Sequence, residues 1–166
     1  GLWGPATLLR YDPDTDRLDE FGVMEPAPKY QAVPRLTVGT DGKVYGIAAG
    51  YVFSLDPATD AVTRYGHQGP ARTYYIAYKG SLAVDDAYIY STFGNYPEET
   101  FTVAMNKTTR DWMRLDGIPG ARFQQDTNGV TAILGTNVYW MVGGKPVQKT
   151  SHDESPPWPE VGRPPR

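Results

Sequence analysis

The stretch YGHQGPARTYYIAYKG, Tyr65 to Gly80, gathers His67, Gln68, Arg72, Tyr74, Tyr75 and Tyr78 within twelve residues. Those side chains suit an anionic sugar. An arginine fork pairs bidentately with a uronate carboxylate. A histidine or tyrosine side chain can remove the C5 proton of a uronate and protonate the leaving oxygen, which is the chemistry of β-elimination. His67 and Tyr75 are the candidate catalytic groups, and Arg72, Tyr74 and Gln68 the candidate substrate contacts. A plainer reading stands beside this one. Tyr74, Ile76 and Tyr78 alternate with Tyr75, Ala77 and Lys79, so one tyrosine set belongs to a sheet core. Arg72 can equally brace a turn carbonyl, and His67 can be an exposed loop residue.

Two more arginines recur in similar places. In GIPGARFQQDTNG, Gly117 to Gly129, Gly-Ala-Arg at 120–122 echoes Pro-Ala-Arg at 70–72, with the arginines 50 residues apart. The segment EPAPKYQAVPR ends on Arg35. STFGNYPEETF, Ser91 to Phe101, reads as a longer hairpin loop that either carries specificity or spaces two strands. Other chemistries lack their residues. There is no cysteine, and the two histidines, His67 and His152, lie 85 residues apart, so no metal spacing exists and no metal or cofactor is expected. No Gly-rich phosphate loop follows a strand, and G-x-S-x-G does not occur. A net charge of −3 without a basic run gives no nucleic-acid footprint. No apolar run approaches the ~18 residues of a membrane helix. Asp14, Asp16, Asp41, Asp56 and Asp60 fall in turns and read as turn formers.

What must position these side chains is a repeat of short strands. With 18 Gly, 15 Pro and 12 Tyr in 166 residues, the composition favours strands joined by many turns. Tyr11-Asp12-Pro13-Asp14-Thr15-Asp16 matches Leu55-Asp56-Pro57-Ala58-Thr59-Asp60, 44 residues on, and a weaker copy, Met105-Asn106-Lys107-Thr108-Thr109-Arg110, follows 50 later. In each, Asp or Asn opens the turn with a side-chain acceptor, and in two of them Pro presets φ. A second turn family interleaves with the first: LTVGTDGKVYGI (Leu36–Ile47), LAVDDAYIYST (Leu82–Thr92) and TAILGTNVYWMV (Thr131–Val142). Asp41-Gly42 is its strongest hairpin signal. Tyr45, Tyr90 and Tyr139 fall 45 and 49 residues apart. Two hairpins per ~45–50 residues make a four-stranded propeller blade. A β-sandwich with look-alike turns is the alternative.

GTDGKVYGIAAGYVFSLDPATDAVTRYG resembles a blade of large bacterial propellers whose repeats read G-x-D-G-x-[IV]-Y-G…[LV]-F-x-x-D-P-x-T. Such blades occur in streptogramin-lyase-like proteins and in propeller polysaccharide lyases, including ulvan lyases. LAVDDAYIY is similar to another blade form of those lyases. The resemblance covers about residues 8–142. It implies an all-β partial propeller and a His/Tyr/Arg lyase chemistry on acidic polysaccharide, and a secreted or periplasmic location. It names the blade better than the reaction, because many unrelated functions use propellers. A non-catalytic propeller that binds a glycan or protein ligand is the other reading.

The expected organisation is a partial propeller over 1–150 and a Pro-rich tail or linker over 151–166. Residues 1–22 supply an outer hairpin, 34–66 and 74–116 a full blade each, and 123–150 an inner hairpin with perhaps one further strand, KPVQKT. The last hairpin and the first could complete one blade between them, giving about three blades, against four to eight in closed rings. The missing blades would come from a longer chain or a partner subunit. A start without Met, GLWGPATLL, reads as a processed chain or a piece of something longer. In this arrangement Arg35, Arg72 and Arg122 recur where successive innermost strands begin. They either ring one mouth of the channel and attract an anion, or each ties its own loop to a neighbouring blade.

Overall fold

The computed structural model describes residues 6–24, 35–48, 50–68, 75–95, 99–127 and 129–148, with the backbone alone at 75–81, 93–95 and 99. It is all-β. The strands are β1 (Thr7–Asp12), β2 (Arg17–Val23), β3 (Arg35–Val38), β4 (Val44–Ala48), β5 (Tyr51–Asp56), β6 (Ala61–His67), β7 (Tyr75–Val84), β8 (Tyr88–Asn95), β9 (Glu99–Asn106), β10 (Trp112–Arg114), β11 (Arg122–Asp126), β12 (Gly129–Leu134), β13 (Asn137–Val142) and β14 (Lys145–Gln148). They form three four-stranded antiparallel meanders, β3–β6, β7–β10 and β11–β14, and one two-stranded hairpin, β1–β2. Among the described residues no helix is long and apolar enough to cross a membrane.

The first turn family folds as its chemistry requires. Asp12 accepts from the Asp14 N–H at 3.0 Å and the Thr15 hydroxyl at 2.7 Å; Asp56 accepts from the Ala58 N–H at 3.0 Å. Asn106 accepts from the N–H groups of Thr108 and Thr109. These side chains replace the backbone acceptors that a tight reversal leaves out of reach. Each turn then closes on a left-handed residue, Asp16 (φ 53°), Asp60 (φ 58°) and Arg110 (φ 66°). Short polar side chains tolerate that conformation best, so Arg110 is the strained copy.

Successive sheets stack face to face, because strand alternation sends neighbouring residues to opposite faces. In β8, Ile89 packs with Tyr45, Ile47 and Val52 of the preceding sheet. The next residue, Tyr90, packs with Phe123, Val130 and Ala132 of the following one. Leu82 and Val84 of β7 join the first cluster and Ala83 the second. The β1–β2 hairpin packs Leu8 and Met24 on Ala48, Phe53 and Leu55, which belong to the other face of β3–β6. The middle sheet is therefore covered on both sides, with each fully buried Ile, Val or Met worth roughly 1.5–3 kcal/mol. The first strands β3, β7 and β11 lie beside one another in succession. This radial stacking is a partial β-propeller of three blades plus an outer half-blade.

Three details of the expected organisation change. Residues 123–150 were expected to hold an inner hairpin and one strand, yet they belong to a complete sheet, because RFQQD forms β11 and pairs with β12 from Arg122↔Ile133 to Asp126↔Gly129. With its own four strands satisfied, that sheet does not share a blade with β1–β2. The third copy of the second turn family is also out of phase. Tyr45 and Tyr90 lie on second strands, whereas Tyr139 lies on a third strand and pairs with Ala132 and Gln148. The expected loop at Ser91–Phe101 is largely strand, since β8 runs to Asn95 and β9 starts at Glu99. The tail, 151–166, lies outside the described residues.

Candidate functional site

The site has to be found from strand direction. Gln125, near the end of β11, accepts from the Val84 N–H at the end of β7 (2.8 Å) and donates to the Val38 carbonyl at the end of β3 (2.8 Å). One amide thus ties the ends of all three innermost strands. The strands run parallel, so their starts, Arg35, Tyr75 and Arg122, gather at the opposite end of the sheets. The meander brings β6 back to that same end, where it finishes at His67. Arg35, Arg122, His67 and the first residue of β7 thus share one end of the sheets, the two arginines on innermost strands and His67 on an outermost one, while Arg72, the third arginine expected there, lies outside the described residues.

Arg35 is half-buried, and its Nε is buried without a hydrogen-bond partner. A buried N–H of a charged group left unpaired costs about 1–3 kcal/mol or more, which makes this position receptive to an acceptor. Arg122 is exposed at the start of β11. His67 is half-buried and pairs with Tyr51, whose ring meets its imidazole edge-on at 5.0 Å. Gly50 lies under it. A Cβ there would sit 2.6 Å from Nε2, and the φ of +83° already calls for glycine.

Gln68 takes a different role from the substrate contact expected of it. It is fully buried. Its backbone N–H donates to the Gly50 carbonyl at 2.8 Å, its amide NH₂ to the Ile89 carbonyl at 3.0 Å, and its amide oxygen accepts from the Ser91 hydroxyl at 2.5 Å. Both ends of the amide are engaged in joining one blade to the next, and no face of the side chain is open to a ligand. Arg72 and Tyr74 lie outside the described residues. Tyr75 opens β7 opposite Asn95, with only its backbone described.

The other end of the sheets carries the tight turns and most of their carboxylates, among them Asp41, Asp56, Asp60, Asp85 and Asp86. Two of these turns repeat one device. The Tyr45 hydroxyl donates to Asp41 at 2.7 Å and the Tyr90 hydroxyl to Asp85 at 2.5 Å. Burial first, and then the carboxylate acceptor, push both phenols well above their ordinary value, so both stay protonated. Burial acts to raise Asp41, but the Tyr45 hydroxyl, the Lys43 N–H and the Lys107 ammonium outweigh it and leave the carboxyl below its ordinary value. Lys107 crosses from the next blade to sit 3.6 Å from Asp41 and over the Tyr45 ring at 5.0 Å. It also donates to the Asp85 carbonyl at 3.0 Å. Thr40 donates to Asp86 at 2.6 Å. These groups latch neighbouring blades.

Sequence reasoning missed the ties made by Gln125 and Lys107. The spacing of a turn aspartate four or five residues before a second-strand tyrosine was the available signal for the Asp–Tyr pairs. A shallow hollow of about 300 Å³ lies on the β1–β2 hairpin, lined by Arg10, Tyr11, Asp12, Pro13, Arg17 and Asp19. Arg10 there bridges Asp19 (2.7 Å) and Asp60 of the next sheet (2.5 Å), a structural clamp away from the arginine-bearing end. Among the described residues no group of three or more His, Asp or Glu side chains could hold a metal ion. No protein-family model matches the chain, and no curated protein matches it.

Proposed function

We propose that the chain is part of a carbohydrate-directed propeller, which takes an acidic polysaccharide at the end of the sheets where β3, β7 and β11 begin. The observation that supports this most is the buried, unpartnered Nε of Arg35, at the same end as the exposed Arg122. A carboxylate or sulfate oxygen would satisfy that donor with a charge-assisted bond. The turn end, rich in carboxylates, would repel the same polymer, so the charge pattern orients its approach. On this reading Arg35, Arg122 and Arg72 hold the anionic groups, and Tyr74 is a further substrate contact. His67 is the described side chain suited to accept a proton near neutrality, and Tyr75 opens the neighbouring strand. Elimination would remove the C5 proton of a uronate, form the C4–C5 double bond and expel the glycosidic oxygen, which takes up a proton.

A second reading, a propeller that binds without chemistry, draws on the engaged amide of Gln68 and on the protonated Tyr45 and Tyr90, none of which is free to act as a base. One experiment separates them. The chain, alone and with any further blades it normally carries, is offered ulvan, pectin and alginate at low salt. Binding and ultraviolet absorbance of an unsaturated uronate are both read. Binding with absorbance supports the lyase, and binding without it supports the scaffold. Binding to no acidic glycan, or binding equally by Arg35→Ala/Arg122→Ala, rejects the polysaccharide reading.

A further inference from the structure

We propose that a bulge at residues 78–81 of β7 is a contact for the anionic polymer, level with Arg35 and Arg122, and that Lys79 supplies its charge, so that the ligand lies across the starts of three blades. This inference deepens the carbohydrate reading and rests on it. The irregularity of one ladder carries it. β7 pairs with β8 at Ala77↔Phe93 and next at Leu82↔Ser91. Tyr78, Lys79, Gly80 and Ser81 therefore stand opposite Thr92 alone. The equivalent ladders, β3 with β4 and β11 with β12, run without a break. A bulge bends its strand and re-aims residues, and bulges recur beside active sites. Gly80 eases this one, because glycine takes up backbone conformations that side chains resist.

The level of the bulge follows from the tie made by Gln125. That side chain bonds to Val84 at the end of β7 and to Val38 at the end of β3, so Val38, Val84 and Gln125 stand at about one height. The three strands are parallel and rise about 3.3 Å per residue. Three residues back, Val38 leads to Arg35, Val84 to Ser81 and Gln125 to Arg122. The bulge thus closes at the height of the two arginines, on the strand between them. Its extra backbone has one way to go. The side toward β8 holds the ladder. The two faces of β7 meet the neighbouring sheets, through Leu82 and Val84 on one side and Ala83 on the other. What remains is the inner edge of β7, the last strand of its sheet, which faces the channel.

The chemistry of the ligand follows. Stacked sheets lie about 10 Å apart and draw closer at a channel, so cations on β3, β7 and β11 make a row of roughly 15–20 Å. A single uronic acid spans too little to reach all three. An acidic oligosaccharide or polymer does reach them, with a carboxylate or sulfate for each guanidinium and one for the Lys79 ammonium. Each arginine prefers a planar, bidentate group, whereas lysine is a flexible point charge that takes an anion from a range of directions. The row therefore selects for length and repeated charge rather than for one sugar.

The test measures binding of the full chain to polygalacturonate, alginate and ulvan at two salt concentrations, with free galacturonate and glucuronate as competitors. At least one polymer should bind, and the free acids, at the same uronate concentration, should not displace it. Lys79→Ala is expected to weaken that binding about tenfold and to flatten its salt dependence, as loss of one ion contact does. Lys79→Arg should restore most of the affinity. A chain lacking residues 79–81, which gives β7 a regular ladder, should lose at least as much as Lys79→Ala while keeping its circular dichroism. Should that shortened chain fail to fold, the two Lys79 variants decide. Lys145→Ala, at an exposed position of the turn end, should change nothing. If Arg35→Ala/Arg122→Ala abolishes binding while Lys79→Ala binds like the parent, the proposal falls and the carbohydrate reading stands. Displacement by the free acids at equal uronate concentration overturns the proposal in the same way. Binding of none of the three polymers by the parent rejects both.

Discussion

Replacing Gln68 with alanine separates a tie between blades from a ligand contact. The side-chain amide makes two hydrogen bonds to the next sheet, to the Ile89 carbonyl and from the Ser91 hydroxyl. Each is worth about 1 kcal/mol net, and a buried group left without its partner adds about 1–3 kcal/mol. Ser91 is fully buried, so its hydroxyl falls in that class. Gln68→Ala is therefore expected to cost about 3 kcal/mol, seen as a lower urea midpoint with unchanged slope. For a chain of this size that corresponds to a Tm lower by about 6–12 °C. A cycle with Ser91→Ala should show the two residues coupled by about 1 kcal/mol or more. If Gln68→Ala is instead within about 0.5 kcal/mol of the parent and loses glycan binding, the amide faces a ligand and the argument from burial fails.

Gly46→Ala should destabilise by about 1–3 kcal/mol or more by denaturant titration, because the new Cβ would meet the Phe53 ring across the ladder. Tyr45 and Tyr90 have phenol pKa values raised by folding, so the stability they contribute is complete below pH 10 and is lost as pH rises through the higher folded values. Unfolding free energy should accordingly fall above about pH 10, and Tyr90→Phe should flatten that fall. Asp41 has the opposite sign. Its contribution is present above the ordinary carboxylate value of 3.8 and is lost as pH drops through the lowered one, so Asp41→Asn should flatten the acid limb of the same curve.

The outer hairpins were legible because their chemistry is local. An Asp or Asn that opens a turn and bonds to backbone two residues on announces itself within six residues of sequence. The Asp-Gly pair at 41–42 did the same for β3–β4. β11 was not legible, because RFQQD buries little besides Phe123 and gains its strand identity from β12 and β7. Missing it shifted the third copy by one strand and turned Tyr139 into a false equivalent of Tyr45 and Tyr90. The arginine recurrence at Arg35 and Arg122 could be read from the sequence once inner strands were assigned, since strand starts share an end of a propeller. The role of Gln68 could not. Two residues from the end of a pattern, a glutamine looks the same whether it faces solvent or the carbonyl of Ile89, and only stacking of the next sheet decides. Gln125 is the same case, joined to Val38 across 87 residues of sequence.

The radial stacking is tested most directly by nuclear Overhauser contacts from two adjacent residues of β8. Ile89 should show contacts to Ile47 and Val52, and Tyr90 to Phe123 and Ala132, so that one strand touches a different sheet on each face. Contacts from both residues to a single sheet, or a solvent-exposed Ile89 or Tyr90, would describe a two-layer packing and contradict it.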